Sequence, residues 1–511
     1  MATDKAANSP KSSYGSILKS STIVGGAEAF VYIIRLLRGK LTAVLLGTAG
    51  VGLIGIYSSM INLVATISAM GLSSSGVREI ASARGAADEE LIGQLQLAIS
   101  RVILVLAFAA VIFLAGASPW LSRLMFEGSE SAALPIAFLG LAIVFKGLNL
   151  SQECSIRGFR RIRDFARISI IGALISAILS VGVYLWIGAD GIVPVIVITA
   201  AVNYFLAWSF SRKLQVEPIS RSWAISLVHS RRLIGLGAAV AYGSMLSNVP
   251  PLVTRSLIVS NMGLSANGLY SAAWVISGMF AQFILKAMSA DFFPRLAEHS
   301  EDSKVVNQLV SEQTEIGILI ALPGILVTTA FAPLVLQFLF TAEFTPAAEL
   351  LPWLLLGVFA KVVNWPMGMI ILAHGDSKRF ALSQTLSVCL HVGLIYGLFS
   401  YFGLIGAVMS FALLNTLYCP GIYLYLYLKY DFRWAGVVAP LLLTSLVLFA
   451  LVVLLRMYLT EGISFYCSAI VIILLGCGFS MHGLLRRLEG HPRLNKLLQK
   501  LPSGIVKRFV K

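Results

Sequence analysis

Long apolar runs, separated by short polar connections, recur from one end of the chain to the other. A helix needs about 20 apolar residues to cross a hydrocarbon core of roughly 30 Å, and these runs have that length. Their apolar residues are continuous rather than alternating, which favours helices over membrane strands. The pattern predicts an all-α polytopic membrane protein with about fourteen transmembrane helices. These helices are predicted to begin near Ile17, Gly50, Leu91, Leu134, Asp164, Ile192, Arg232, Ser265, Glu312, Ala347, Lys378, Phe402, Gly436 and Ile463.

The composition agrees with a membrane location. Hydrophobic residues make up 58% of the chain and charged residues 12%, against roughly a quarter charged in soluble domains. Most of the 39 Lys and Arg residues fall in the two tails and in alternate connections, so the positive-inside rule predicts that both termini are cytoplasmic. Because the basic residues form short clusters between apolar runs, the net charge of +15 indicates membrane orientation rather than nucleic-acid binding.

The sequence also contains an internal repeat, whose two copies are separated by a nearly constant offset. GIYSSM at residues 55–60 recurs as GLYSAA at 268–273, and FLGLAIVFKGLN, ending at Asn149, recurs as WLLLGVFAKVVN, ending at Asn364. Duplication of six helices puts both copies in the same orientation, which suits alternating access around a central cavity. The predicted parts are a cytoplasmic tail (1–16), a first six-helix repeat (17–210), a basic cytoplasmic linker (211–232), a second six-helix repeat (233–428), an extra helix pair (436–484) and a basic cytoplasmic tail (485–511).

Several charged side chains fall within or near the predicted hydrophobic zone. A charge at the bilayer centre costs about 2.5–3.5 kcal/mol, so such residues usually face water or a partner. Six of the seven are basic, and we expect at least some of them to line a cavity with a positive potential. Arg101 is the exception, because its place near a cytoplasmic helix end favours contact with the interface. The seven are Glu28, Arg35, Arg38, Arg101, Lys146, Arg255 and Lys361.

The repeat pairs some of these cations. Arg38 matches Arg255, and Lys146 matches Lys361. Guanidinium groups offer planar forks to phosphate oxygens and lysine adds point charge, so paired cations would suit a bound diphosphate. Alternatively, the arginines near the end of the first helix extend to the outer headgroups. The candidate substrate-binding residues are Arg35, Arg38, Lys146, Arg255 and Lys361.

Other polar residues allow two interpretations each. Glu28 either forms an ion pair that holds Arg35 or changes protonation during transport. Asn149 and Asn364 either contact sugar hydroxyls or form hydrogen bonds between helices. Glu153 and Glu315 lie near cytoplasmic helix ends, where a solvated face or a gate contact is expected.

The sequence offers little support for an enzyme. A G-x-G-x-x-G pattern begins at Gly50, but it opens a predicted membrane helix with no preceding strand, so it does not indicate a nucleotide site. The five cysteines lie in apolar segments without metal-ligand spacing. Short connections leave no room for a folded catalytic domain. We therefore expect no catalytic residues, no metal and no cofactor.

The stretch from GIYSSM to VREIA at residues 55–81 and the segment LFTAEFTPAAELLPWLLLG at 339–357 resemble O-antigen translocases. These are the lipid-linked oligosaccharide flippases of the multidrug/oligosaccharidyl-lipid/polysaccharide exporter superfamily. The resemblance implies export of an undecaprenyl-diphosphate-linked glycan across a bacterial plasma membrane, with membrane lipids and polysaccharide polymerases or ligases as partners. It also implies a cationic cavity to which Arg35 or Arg38 and Arg255 contribute. Fourteen helices resemble the lipid II flippase branch, in which the last pair holds the lipid tail.

Two alternatives remain at this stage. A multidrug exporter of the same superfamily would need embedded carboxylates for cationic drugs, whereas one acid accompanies six bases here. A non-transporting scaffold for polysaccharide assembly would tolerate substitution of the embedded charges but not of the basic cytoplasmic loops. A membrane-embedded transferase is disfavoured by the short loops.

Overall fold

The structure is a computed structural model that describes residues 10–126, 129–214, 223–459 and 462–488. Within these ranges nine helices are long and apolar enough to cross a membrane, and a bent pair within α7 forms a tenth. The chain is therefore a polytopic all-α membrane protein, as the apolar pattern predicts. The helices are α1 (Pro10–Ala69), α2 (Leu72–Gly85), α3 (Glu89–Met125), α4 (Ala133–Gly158), α5 (Ile162–Ile187), α6 (Ile192–Ser211), α7 (Trp223–Glu298), α8 (Ser303–Ala330), α9 (Ala332–Leu339), α10 (Leu351–Ala373), α11 (Ser377–Tyr430), α12 (Val438–Tyr458) and α13 (Ile463–Leu488).

Glycines with positive φ divide the longest helices into two arms. Gly47 breaks α1, Gly263 breaks α7 and Gly403 breaks α11, while Gly188 joins α5 to the short turn before α6. Glycine adopts this backbone region at little cost because it lacks a Cβ. The sequence pattern predicts separate helices here, whereas the breaks at Gly47, Gly263 and Gly403 are single non-helical residues inside continuous helices.

These breaks recur at the spacing of the sequence repeat. Gly263 is the counterpart of Gly47, and Gly403 is the counterpart of Gly188. Gly188 and Gly403 also have nearly the same backbone angles, with φ 60° and ψ −136° against φ 55° and ψ −130°. The two copies therefore share backbone geometry at matching positions.

The chain forms two compact units. The first unit consists of Met1–Gly268 with Leu339–Glu343, and it holds α1 to α6 with the first arm of α7. Within it α3 packs on α4, α4 on α6 and α1 on α5. One of its core clusters includes Ile56, Leu139 and Ile143, each fully buried.

The first unit extends past the predicted linker at 211–232 because α7, as far as Gly268, packs along the second arm of α1 and the turn that follows it. A Cβ built on Gly71 would lie 2.2 Å from the carbonyl oxygen of Gly237, and one on Gly268 would lie 2.0 Å from that of Thr48. Such backbone contact between helices requires small residues. The compact unit therefore ends at Gly268, well inside the predicted second repeat.

The second unit consists of Leu269–Phe338 with Phe344–Lys511. Its central helix is α8, which packs against α10, α12 and α13. The last two helices, which lie outside the sequence repeat, thus pack on a helix of the repeat.

Two arginines connect these last helices to the rest of the second unit. Arg456 of α12 donates to the carbonyl oxygens of Thr329 at 3.1 Å and Ala348 at 3.3 Å. Arg487 of α13 forms an ion pair with Glu315 of α8, whose side chain is 2% exposed. The expectation that Glu315 lies on a solvated face is therefore wrong, because a basic residue from the extra helix pair covers it.

Candidate functional site

A cavity of about 360 Å³ lies within the first unit, among the second arm of α1, α3, α4 and the first arm of α7. This volume falls in the range of roughly 300–1,000 Å³ that is usual for small-molecule sites. The cavity has a mixed wall in which apolar residues alternate with polar and charged ones. The polar and charged lining residues are Asn62, Thr66, Ser68, Ser73, Lys146, Asn149, Glu153 and Ser244.

Lys146 supplies a positive charge to the cavity wall. It lies on α4, and its Nζ donates to the Oδ1 atom of Asn62 on α1 at 3.1 Å. An amide oxygen accepts one of the three ammonium protons but carries no formal charge. The contact therefore orients Lys146 without neutralising it.

Arg255 binds the same face of α1. Its guanidinium Nη1 donates to the Oγ of Ser59 at 2.7 Å, and its side chain is buried. Ser59 precedes Asn62 by three residues, so the two acceptors share one helix face at a rise of about 4.5 Å. Two of the predicted cations are thus held by neutral side chains at neighbouring positions of one helix.

The repeat explains part of this arrangement. Ser59 belongs to GIYSSM, and Arg255 lies shortly before GLYSAA, the second copy of the same motif. Asn267, just before that copy, donates to the backbone oxygen of Gly52 at 2.6 Å. This bond joins the residue before the second copy of the motif to a residue shortly before the first copy, within the first unit.

A carboxylate also lines the cavity. Asn149 of α4 donates through Nδ2 to the Oε1 atom of Glu153 at 2.8 Å. Lys146, Asn149 and Glu153 follow at spacings of three and four residues, so they project from one face of α4. Glu153 is therefore part of the cavity wall rather than only a solvated residue at the helix end.

The remaining candidates on α1 lie elsewhere in the first unit. Arg38 is half-buried beside the hydroxyl of Tyr184 on α5. Arg35 and Glu28 have exposed side chains on the first arm of α1. Arg38 and Arg255 match in the repeat, yet they contact different partners.

The second unit holds Lys361 and Asn364, both on α10. Lys361 is exposed, and buried His391 of α11 lies close enough for their charges to interact. Asn364 is buried and donates through Nδ2 to the backbone oxygen of Asn415 at 2.7 Å. This bond joins α10 to α11. Asn364 therefore forms a hydrogen bond between helices, which is the second of its two predicted roles.

Arg101 lies outside the cavity lining. Its Nη1 donates to the Oγ of Ser226 at 2.8 Å, and its guanidinium carbon lies 4.2 Å from the ring centroid of Trp223. A cation over an aromatic face is attracted by the ring quadrupole. The beginning of α7 therefore holds the Arg101 charge.

Sequence reasoning missed the acceptors that hold the two cations. Ser59, Asn62 and Thr66 follow one another at spacings of three and four residues within an apolar arm, a polar stripe that could have been noticed. Nothing in the sequence around His391 indicates that this residue lies near Lys361. Among the described residues, no group of three or more His, Cys, Asp or Glu side chains could hold a metal.

The chain is similar to a known protein family and to named bacterial proteins. Residues 41–349 match the family described as polysaccharide biosynthesis protein. The lipid III flippase of Escherichia coli strain K12 is 23% identical over 401 residues, covering 76% of this chain and 94% of that protein. A putative O-antigen transporter of Shigella flexneri is 26% identical over 377 residues, covering 70% of this chain and 86% of that protein.

Solved structures show the same fold. The lipid II flippase MurJ in an inward closed conformation superimposes with a TM-score of 0.69 at 15% identity, over 92% of this chain and 100% of that one. An inward-facing multidrug resistance transporter of the MATE family, in the MOP superfamily, gives a TM-score of 0.63 at 16% identity, over 81% and 96%. The predicted fold class, an all-α polytopic membrane protein, is confirmed. The relatives are named as transporters or flippases, which supports the expectation that the chain is not an enzyme.

Proposed function

Because the chain belongs to the polysaccharide biosynthesis protein family, we propose that it is a flippase for lipid-linked glycans. Relatives that match most of its length are named lipid III flippase and putative O-antigen transporter. The observation that carries the proposal is the pair of cations, Lys146 and Arg255, held at neighbouring positions of α1 by the uncharged Asn62 and Ser59.

The proposed substrate is a polyprenyl-diphosphate oligosaccharide, specifically an undecaprenyl-linked O-antigen unit or a similar surface polysaccharide precursor. Its diphosphate is the part that hydrocarbon excludes most strongly, since an unpaired charge loses its hydration there. Lysine and arginine replace that hydration with charge-assisted hydrogen bonds. Asn62 and Ser59 orient the two cations, and the uncharged Asn62 leaves the Lys146 charge available to the substrate.

In the proposed cycle the diphosphate binds Lys146 and Arg255, the sugars occupy the cavity, and the polyprenyl chain stays in lipid. Alternating access then moves the headgroup from the cytoplasmic to the outer leaflet of a bacterial plasma membrane, with both termini cytoplasmic.

Further cations proposed to assist are Arg35, Arg38 and Lys361, while Glu28 acts as a coupling carboxyl or as an ion-pair partner. Asn149 is the proposed sugar contact, and polysaccharide polymerases or ligases are the proposed protein partners.

Reconstitution of the purified chain in vesicles tests this function. The assay measures how fast a labelled polyprenyl-diphosphate oligosaccharide becomes accessible at the opposite leaflet, with and without a proton gradient. We expect Lys146→Met and Arg255→Gln each to lower the rate at least about tenfold, since each removes a charged hydrogen-bond donor worth roughly 1.5–3 kcal/mol.

The matched control is Arg433→Gln, which removes an arginine from an exposed pair with Asp431 and should leave the rate unchanged. Wild-type protein that translocates nothing in either condition would refute the flippase function. Normal translocation by both the Lys146 and the Arg255 variant would instead refute the cationic site, and would favour a role in which these charges are dispensable.

A further inference from the structure

The two copies of the repeat differ at one chemically important position of the cavity helix. Lys146 and Asn149 recur as Lys361 and Asn364, both at the same offset along the chain. Glu153 has no such counterpart, because the residue at that offset from it is Gly368. The duplication therefore kept the cation and the amide in both copies, whereas the carboxylate occurs in the first copy alone.

This carboxylate gives the cavity two ends of opposite charge. Seven residues separate Lys146 from Glu153 on one face of α4, which corresponds to about 10 Å along the helix axis. Both side chains line the same cavity. A ligand with an anionic group at one end and uncharged hydroxyls at the other would match this polarity.

The Glu153 carboxylate is oriented by one hydrogen bond and can still accept others from a ligand. Asn149 donates to Oε1 at 2.8 Å, and within the described part of the chain the Oε2 atom receives no hydrogen bond. Arg157, one turn further along α4, is exposed and interacts with Glu153 only through space. A carboxylate with such an oxygen accepts hydrogen bonds from sugar hydroxyls and amide N–H groups, but it repels another carboxylate.

We propose that Glu153 determines sugar specificity, so that the cavity accepts glycans whose sugars near the diphosphate are uncharged and disfavours uronic acids. The inference rests on the proposed flippase function and adds a substrate class to it. Lys146 binds phosphate at one end, and Glu153 accepts hydrogen bonds from hydroxyl or acetamido groups at the other. Asn149 positions the carboxylate and offers its own carbonyl oxygen, which is buried without a hydrogen bond among the described residues.

A competition experiment tests the proposal. Vesicles containing the purified chain are loaded with two polyprenyl-diphosphate disaccharides that differ only in the second sugar, glucose in one and glucuronic acid in the other. The measured quantity is the ratio of their initial translocation rates. We expect wild-type protein to prefer the uncharged substrate about tenfold, the size of a like-charge interaction at several ångströms in a partly hydrated site.

Three variants and one control separate charge from structure. Glu153→Gln and Glu153→Ala remove the negative charge and should bring the ratio close to one, whereas Glu153→Asp keeps the charge and should keep the preference. Glu89→Gln removes an exposed carboxylate at the start of α3 and should leave the ratio unchanged.

Each outcome bears on a separate claim. Wild-type protein that translocates neither lipid would refute the proposed function. Wild-type protein that translocates both equally, or a neutral Glu153 variant that keeps the full preference, would refute the specificity role while leaving the flippase function intact. Because two neutral variants are measured, a folding defect in one does not decide the result.

Discussion

Replacement of Gly268 by alanine tests the close contact between α7 and α1. A Cβ at this position would lie 2.0 Å from the carbonyl oxygen of Thr48, whereas carbon and oxygen approach to about 3.3 Å at closest in proteins. The two helix arms would have to separate by more than about 1 Å. The adjacent hydrogen bond from Asn267 to Gly52, 2.6 Å long, would lengthen with them.

The expected loss of stability follows from three contributions. Overpacking costs about 1–3 kcal/mol, and a buried amide that loses its acceptor costs about 1–3 kcal/mol. Alanine returns about 1 kcal/mol through its higher helix propensity. We expect a net loss near 3 kcal/mol, which corresponds to a fall of about 3 °C in the apparent Tm of a chain of 511 residues.

Thermal unfolding in detergent measures this loss, and Gly235→Ala provides the control. Gly235 lies on the same helix, and no atom among the described residues falls within 4 Å of a Cβ built there. Its replacement should therefore leave the Tm unchanged or raise it slightly. If Gly268→Ala is as stable as wild type and as active in translocation, the two arms are not in contact as described.

Further predictions concern the extra helices and the cavity. Arg487→Ala leaves the buried carboxylate of Glu315 without its ion partner, so we expect a loss of about 2–3 kcal/mol in thermal unfolding. Adding Glu315→Gln should restore most of it, and an unchanged Tm in the single variant would contradict the ion pair. Asn62→Leu removes the acceptor of Lys146, so translocation should fall several-fold at normal membrane abundance; a wild-type rate would show that the contact does not orient the cation.

Much of the fold could be predicted because its signals are local. Apolar runs identify the helices, and duplicated motifs reveal two copies of a six-helix plan. The glycines at 47 and 263, and at 188 and 403, preserve the same breaks at the repeat spacing. What hydropathy did not predict is that the breaks at 47, 263 and 403 need no loop, because each is a single residue with positive φ inside a continuous helix.

The candidate site could be predicted only in part. Lys146 and Arg255 stand out as charges in apolar segments, yet their acceptors are ordinary serine and asparagine residues. Ser59 lies 196 residues from Arg255, and Asn62 lies 84 residues from Lys146. Nothing in a single sequence states the register between helices that are so far apart.

The same limit explains the acidic residues. Glu153 and Glu315 look alike in sequence, since both fall near helix ends that the charge pattern predicts to be cytoplasmic. Packing gives them different roles: Glu153 lines the cavity, whereas Glu315 is covered by Arg487 from the last helix.

Residue order along the chain thus establishes the membrane class, the repeated motifs and the excess of positive charge within apolar segments, because hydrophobicity and spacing act within one segment. Helix packing establishes which charges share a cavity, which are paired and where the compact units divide. Those features depend on contacts between distant segments, and close approach at glycines such as Gly71 and Gly268 sets the register that makes them possible.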